Sequence, residues 1–294
     1  MRILFAGDER PYSAFALRKV IDLAINTWAD LSFLAVHEEN AVHNLQIPHP
    51  QVYDHPLCVA MHRYREEFLQ VINDETSPYA MSRWSYEWFP LRDGAWEELK
   101  VCRGNKKELK VRLRIGNPAS EILAEARARE SDLIILGCTK GHSCCWHEPE
   151  DTPRKVINDA ECSVLLVKEN QPVKRVLACI DHMRSSQESL EMINQIVTIH
   201  NARLELIGLT NKGDAKPEVY SRLIEMGDYF EDRGIPVKTG LTDISEFETF
   251  LGRETGDDLL AFSMGKKSLM SLFFPRNWVG RFVSTCQTSV LVLR

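Results

Sequence analysis

The stretch at residues 132–168, DLIILGCTKGHSCCWHEPEDTPRKVINDAECSVLLVK, decides the fold of this chain. Its first apolar run ends in a turn at Gly137, and a polar and helical segment then leads to a second apolar run, SVLLVK. Residues 258–294 repeat this plan without a gap, so that Asp258 corresponds to Asp132 and Val290 to Val164. A match over a complete closing segment predicts an internal duplication.

The regions that precede these two segments repeat one another as well. The apolar run RILFAG ends at Asp8 and RVLACI ends at Asp181, and each is followed by an amphipathic helix pattern. Strands that alternate with helices indicate a parallel sheet with helices on both faces. We therefore predict an α/β chain with two five-stranded parallel-sheet domains in tandem, at residues 1–170 and 171–294, joined by the polar stretch 168–174.

The first predicted domain is longer because of an insertion at about residues 40–108. Insertions at this position lie on the rim of such a sheet, where they can cover a ligand crevice. The simpler interpretation is that aromatic side chains pack the insertion onto the domain, and we favour it over a ligand lid. The aromatic residues concerned are Trp84, Tyr86, Trp88, Phe89 and Trp96.

The bulk properties exclude several classes of protein. The 294 residues carry a net charge of −6, which does not attract nucleic acid or an anionic membrane surface. No apolar run approaches the roughly 20 residues that span a bilayer, and the N-terminus lacks the pattern of a signal peptide. The eight cysteines are scattered, which favours reduced thiols over a disulfide framework. We therefore expect a cytoplasmic protein.

Several of these segments together resemble the universal stress protein family. They are ILFAGDERPYSAFAL with Asp8, GNPASEILAEARARESDLIILG, DTPRKVINDAECSVLLVK, RVLACIDHMRSSQESLEMI and the closing DDLLAFSMGKK and VGRFVSTCQTSVLVLR. The whole chain thus resembles a tandem universal stress protein. The resemblance implies adenine-nucleotide-binding domains that associate through their last strands. The strands SVLLVK and SVLVLR would then meet in an intramolecular pseudo-dimer, and a further homodimer is left open.

The resemblance also implies where a nucleotide would bind. Many family members bind ATP with a Gly-x-x-Gly turn after the fourth strand and a Gly-Ser or Gly-Thr pair at the next helix, where backbone N–H groups hold the phosphates. In the first copy this turn consists of Gly137, Cys138, Thr139 and Lys140, with Gly141 one place late. The downstream pair is Glu150 and Asp151. Each carboxylate would repel a phosphate charge by roughly 4 kcal/mol at ~4 Å and an effective dielectric of ~20.

The second copy has a different phosphate turn, which consists of Ser263, Met264, Gly265 and Lys266. Its downstream pair is Arg276 and Asn277, and the basic residues of the segment favour the second copy as the one that keeps an anion site. A solvated turn explains the lysines equally well.

The aspartates Asp8 and Asp181 follow the first strands, at the edge where open α/β sheets bind ligands. The resemblance places them near a bound nucleotide. An aspartate that caps the following helix is the alternative.

The loop after Gly137 is rich in soft metal ligands, namely Cys138, His142, Cys144, Cys145 and His147. These residue types suit Zn²⁺ or a reactive thiol, but their spacing is irregular. A surface loop without a ligand is the leading interpretation.

The chain lacks the P-loop, G-x-S-x-G and H-E-x-x-H patterns. Ser185 and Ser186 are interpreted as helix-start residues and not as nucleophiles. We therefore favour a non-catalytic stress-response sensor or adaptor with an unidentified protein partner. The alternatives are an ATP- or AMP-binding protein with at most slow ATP hydrolysis, which uses mainly the second copy, and a metal- or thiol-based redox sensor at residues 138–147.

Overall fold

A computed structural model describes residues 1–38, 55–72, 77–79, 86–90, 95–100, 107–139, 151–168, 172–180, 185–211, 216–247, 249–250, 258–263 and 286–294. The chain forms two compact units, Met1–Cys138 (unit 1) and Thr139–Arg294 (unit 2). The predicted boundary at 168–174 between two sequence copies remains a prediction. No described helix is long and apolar enough to cross a membrane.

Unit 1 alternates strands and helices as the sequence predicts. The elements are β1 (Arg2–Ala6), α1 (Pro11–Thr27), β2 (Asp30–His37), α2 (Pro56–Val71), β3 (Tyr86–Pro90), β4 (Trp96–Lys100), β5 (Leu109–Ile115), α3 (Pro118–Ala128) and β6 (Leu133–Gly137). The strand order is β6-β1-β2-β5-β4-β3, and the first four of these strands are parallel. The α/β fold with a mainly parallel sheet is therefore confirmed.

Aromatic rings pack α2 against the sheet of unit 1. The rings of Phe5 and Phe33 meet edge to face at 5.2 Å, and Phe33 meets Phe68 of α2 at 5.8 Å. Tyr64 of the same helix lies 5.7 Å from Phe5, and all four side chains are fully buried. Aromatic pairs in this geometry add to the stabilisation from burial alone. This core holds the carboxyl ends of β1 and β2 close to α2.

The insertion adds strands that the sequence did not predict. Strands β3 and β4 form an antiparallel pair, and β4 extends the sheet by pairing antiparallel with β5. Trp88 in β3 is only 3% exposed, which favours the interpretation that the insertion is packed onto the domain. Trp84 lies outside the described residues. The prediction of a purely parallel five-stranded sheet is therefore not confirmed for unit 1.

A buried ion-pair network joins this hairpin to α3. Glu125 is fully buried and accepts hydrogen bonds from Arg114 Nε at 2.9 Å and from Arg129 Nε at 3.1 Å. Arg112 of β5 binds both Glu125 and Glu97 of β4. Buried charges are stable only when they are paired in this way, because removal of one partner leaves an uncompensated charge. The network therefore ties the inserted strand β4 to the rest of unit 1.

The described part of unit 2 contains five parallel strands and one antiparallel strand. Its elements are α4 (Thr152–Asp159), β7 (Ser163–Val167), β8 (Arg175–Ile180), α5 (Gln187–His200), β9 (Arg203–Thr210), α6 (Pro217–Glu231), β10 (Val237–Asp243), a 3₁₀ turn (Ile244–Glu246), β11 (Leu259–Ser263) and β12 (Ser289–Leu293). The strand order is β10-β9-β8-β11-β12-β7. All neighbours are parallel except β12 and β7. The last strand of the first sequence copy, β7, therefore belongs to unit 2.

The predicted contact between SVLLVK and SVLVLR is present as the antiparallel pair of β7 and β12. In this register Val164 faces Val292 and Leu166 faces Val290. In the sequence repeat Val164 corresponds to Val290 and Leu166 to Val292, each 126 positions apart, so equivalent residues exchange places across the pair. All four side chains are fully buried. The register is therefore that of a local two-fold axis.

Hydrogen bonds at the strand ends follow the same local two-fold. The backbone N–H of Lys168 donates to Ser289 Oγ at 3.0 Å, and the N–H of Arg294 donates to Ser163 Oγ at 3.3 Å. The Lys168 ammonium donates to the carbonyl of Cys286, while the Arg294 guanidinium donates to carbonyls at the end of α4. Burial lowers the pKa of Lys168 to about 8, because the charged amine is desolvated.

Side chains cap the starts of α3 and α5, and the cap of α5 agrees with the sequence prediction. Asn117 caps α3 by accepting from Ser120 N, and Pro118 occupies the first helical position. Ser186 caps α5 by accepting from Ser189 N at 3.1 Å. The interpretation of Ser186 as a helix-start residue is confirmed, because its hydroxyl oxygen satisfies a backbone donor of the first turn.

We expect that Ser163→Ala and Ser289→Ala each lower the free energy of unfolding by about 1 kcal/mol, because each removes the acceptor of a buried backbone N–H. Urea unfolding of the two variants measures this. Ser221→Ala, at an exposed position of α6, is the control, and we expect it to change the free energy of unfolding by less than about 0.5 kcal/mol. A loss confined to one of the two serines would contradict the local two-fold.

Candidate nucleotide crevice

Asp8 lies directly beyond β1, at the carboxyl edge of the sheet of unit 1, and is only 4% exposed. Its Oδ1 accepts a hydrogen bond from Ser13 Oγ at 2.7 Å and one from the backbone N–H of Arg10 at 3.0 Å. Its Oδ2 accepts from the hydroxyl of Tyr12 at 2.5 Å. The carboxylate is therefore occupied by donors from the start of α1.

The backbone of Asp8 is engaged as well. Its N–H donates to Ser13 Oγ at 3.0 Å, and its carbonyl accepts from the Tyr64 hydroxyl at 2.8 Å. Ser13 is fully buried and its hydroxyl both donates to and accepts from Asp8, so it is a structural group and not an accessible nucleophile. Burial raises the pKa of Tyr12, and the neighbouring Asp8 charge raises it further, so this phenol stays protonated and continues to donate.

Gly137, the first residue of the predicted phosphate turn, is in close contact with α1. A Cβ atom at this position would lie 2.2 Å from the carbonyl oxygen and 2.6 Å from the carbonyl carbon of Tyr12. Such distances are impossible for a side chain, so only glycine fits here. The bare backbone of Gly137 therefore accommodates the first turn of α1.

In unit 2, Asp151 lies where the resemblance implies the second phosphate-binding pair. It is the N-cap of α4, and its Oδ1 accepts from the backbone N–H of Arg154 at 3.1 Å. Its other oxygen forms an ion pair with Arg154 Nε at 3.8 Å. A carboxylate of the protein itself thus occupies the start of this helix, a position that would otherwise favour a phosphate.

Most of the other predicted site residues lie outside the described residues. They are Lys140, Gly141, His142, Cys144, Cys145, His147, Asp181, Gly265, Lys266, Arg276 and Asn277. Cys138 is described, is fully buried and is disulfide-bonded. A zinc site that used Cys138 would first require reduction of this bond, because the thiolate is the metal ligand. Within the described ranges, no three His, Cys, Asp or Glu side chains converge to hold a metal ion.

The sequence analysis did not identify Tyr12, Ser13 and Tyr64 as partners of Asp8. Tyr12 and Ser13 belong to the first turn of α1, where a hydroxyl can bond back to the preceding loop. The position of Tyr12 and Ser13, four and five residues after Asp8, was the sequence pattern that could have identified them. Tyr64 lies 56 positions away on α2, and only the packing of this helix brings its hydroxyl to Asp8.

We expect Gly137→Ala to lower the free energy of unfolding by roughly 3 kcal/mol, because the new methyl group meets the backbone of Tyr12 and α1 must shift. Gly227→Ala on α6 is the matched control. No atom lies within 4 Å of the added Cβ there, so this helical substitution should stabilise the protein by about 0.5–1 kcal/mol. Urea unfolding followed by circular dichroism distinguishes the two, and an equal effect of both variants would contradict the close packing at Gly137.

Solved structures with the same fold cover almost the whole chain. A universal stress protein from Archaeoglobus fulgidus shares 16% identity at a TM-score of 0.59, with 100% of this chain and 98% of that chain covered. A functionally unknown protein from Pseudomonas aeruginosa shares 14% identity at a TM-score of 0.56, with 99% and 92% covered. The cytoplasmic domain of a prokaryotic cation chloride cotransporter shares 9% identity at a TM-score of 0.52, with 99% and 94% covered. At these identities the likeness shows the fold alone.

The comparison with curated proteins found no significant match. The model of the Universal stress protein family matches residues 1–168, which is more than half of the 294 residues. The matched region includes the Asp8 loop, the turn at Gly137 and the strand β7. This chain therefore belongs to the universal stress protein family.

Proposed function

We propose that this chain is a non-catalytic stress-response sensor or adaptor whose first sequence copy does not bind nucleotide. One observation carries the proposal: the first turn of α1 occupies the carboxylate of Asp8 and the bare backbone of Gly137. Asp8 and Gly137 are two of the positions in the first copy to which family resemblance assigns a nucleotide. A protein with this closed crevice would act in the cytoplasm through contact with a protein partner.

A nucleotide could reach these groups only if the start of α1 moved. Such a movement would break the hydrogen bonds from Tyr12, Ser13 and the backbone of Arg10 to Asp8. Each bond to a buried carboxylate is worth about 1.5–3 kcal/mol. The Tyr12 side chain, which is 5% exposed, would also lose its buried position. Together these losses would oppose nucleotide binding at this position.

The start of α4 adds to this argument independently. Asp151 already satisfies the backbone N–H of Arg154, and it places a negative charge where the resemblance implies a phosphate. Phosphate binding there would require the carboxylate to move away or a cation to neutralise it. The first copy thus has its own groups at Asp8, Gly137 and Asp151, three of the positions that the resemblance assigns to ATP.

We also propose that the chain is a tandem of two copies that associate as an intramolecular pseudo-dimer. The register of β7 and β12 supports this, because residues at equivalent positions of the two copies exchange places across the strand pair. Ser163 and Ser289, at the start of each strand, likewise accept equivalent hydrogen bonds.

A second candidate is ATP or AMP binding by the second copy. The observation that favours it is the sequence charge, since Lys266, Lys267 and Arg276 are basic and Arg276 stands where the first copy has Glu150. Basic side chains stabilise bound phosphate through charge-assisted hydrogen bonds.

Titration calorimetry with ATP and with AMP on the purified full chain tests these proposals. We expect no saturable binding in the micromolar range. If binding is seen, Lys266→Ala/Arg276→Ala decides its position, because loss of binding in this variant would establish the second-copy site. Lys216→Ala/Arg233→Ala on α6 is the control with the same change in net charge.

Binding that survives in Lys266→Ala/Arg276→Ala but is abolished by Asp8→Asn would overturn the closed first copy. The folded state of each variant is checked by circular dichroism before titration, so that loss of binding is not confused with loss of structure.

A further inference from the structure

Two histidines face one another at the carboxyl edge of unit 1. His37 is the last residue of β2, and His55 immediately precedes α2. Their rings meet edge to face with centroids 4.7 Å apart and planes at 79°. Each side chain is partly buried. Two imidazoles at this distance interact directly, so a proton on one ring disfavours a proton on the other.

His55 is the N-cap of α2. Its Nδ1 accepts a hydrogen bond from the backbone N–H of Leu57 at 3.3 Å, and Pro56 occupies the first helical position. An accepting Nδ1 has a free lone pair, so the proton of the neutral ring is on Nε2. A protonated imidazole has N–H groups at both nitrogens and cannot accept this bond. The cap therefore exists only while His55 is neutral.

The surroundings of His55 favour the neutral ring. Burial lowers its pKa below the usual 6.5, and the charge of His37 lowers it further. Glu9, in the loop after β1, is the opposing group and raises the pKa of His55. Among the residues that the structure describes, these two, one from β2 and one from the β1 loop, are the charged or titratable groups that act on His55.

The start of α2 is connected to the loop that contains Asp8. Tyr64 lies two turns along the same helix, and its hydroxyl donates to the carbonyls of Asp8 and Arg10, at 2.8 Å and 3.4 Å. Its ring also packs against Phe5 of β1. A change at the first turn of α2 therefore acts on a helix that supports the β1 loop.

We propose that His55 and His37 form an acid-sensitive switch at the start of α2. At neutral pH the neutral His55 ring caps the helix. In acid the His55 ring is protonated, the bond to Leu57 N–H is lost, the charged ring is repelled by His37, and the first turn of α2 opens. The use of this switch for sensing rests on the proposed sensor role, whereas the opening itself is independent of it.

The direction of the pH effect follows from linkage. The pKa of His55 in the folded state lies below its unfolded value of 6.5. As the pH falls, the unfolded or locally opened chain is therefore protonated at His55 before the folded state is. The stability of the capped turn is therefore complete above pH 6.5 and decreases as the pH falls through and below this value.

Hydrogen exchange of the amides at residues 57–60 in the full-length protein tests the switch. After correction for the intrinsic exchange rate, we expect exchange at pH 5.0 to be about five-fold faster than at pH 7.5, as for the loss of one N-cap. In His55→Asn the asparagine caps the helix without titrating, so this difference should disappear. His200→Asn at the end of α5 is the control and should keep the five-fold difference.

His37→Asn provides a second measurement that does not alter the cap. Removal of the His37 charge should shift the midpoint of the exchange transition to higher pH, which a purely structural role of His37 would not do. An unchanged pH response in His55→Asn, or an unchanged midpoint in His37→Asn, would overturn the switch. Neither measurement uses nucleotide. A failure of the switch can therefore be told apart from a failure of the proposed role without nucleotide.

Discussion

The hydrogen bonds that hold the Asp8 carboxylate organise the carboxyl edge of unit 1. Three donors from residues 10–13 converge on this side chain, and the carbonyl of Asp8 receives a fourth from Tyr64. A buried carboxylate is stable only with such a set of donors. This requirement places the start of α1 directly over the end of β1, and the close contact with Gly137 then follows.

The same arrangement explains why the crevice differs from an open nucleotide site. Open α/β sheets bind ligands beyond the carboxyl ends of their strands, where loops leave space. Here the helix start uses that space, and the glycine that would expose backbone N–H groups instead accommodates the carbonyl of Tyr12. Asp151 likewise uses the start of α4 for its own side chain. The polar groups at both places are thus satisfied within the protein.

The strand pair of unit 2 shows a second constraint, which is symmetry. Because β7 and β12 have nearly the same sequence, an antiparallel register that buries one of them correctly also buries the other. Their last residues differ, however. Arg294 reaches two carbonyls near the end of α4, whereas the single ammonium of Lys168 is buried against Cys286, with its pKa lowered to about 8. The two strands thus share the backbone pattern and differ in the cation.

The parallel strands of both units and their order along the chain could be predicted from the sequence, because buried parallel strands are continuous apolar runs such as LIILG and SVLLV. The caps at Asn117 and Ser186 were predictable for a similar reason, since their bonds connect residues three positions apart. Strands β3 and β4 were not predictable, because YEWFP and WEELK lack a clear apolar run or alternation.

The sequence by itself determined the α/β class and the positions of Asp8 and Gly137 at strand ends. Only the tertiary structure decided what these two residues do. The roles of Asp8 and Gly137 depend on contacts with Tyr12 and Tyr64. The histidine pair depends on the packing that brings the ring centroids of His37 and His55 to 4.7 Å. Such contacts depend on how helices pack on the sheet, and that packing is set by many apolar side chains together and not by any local pattern.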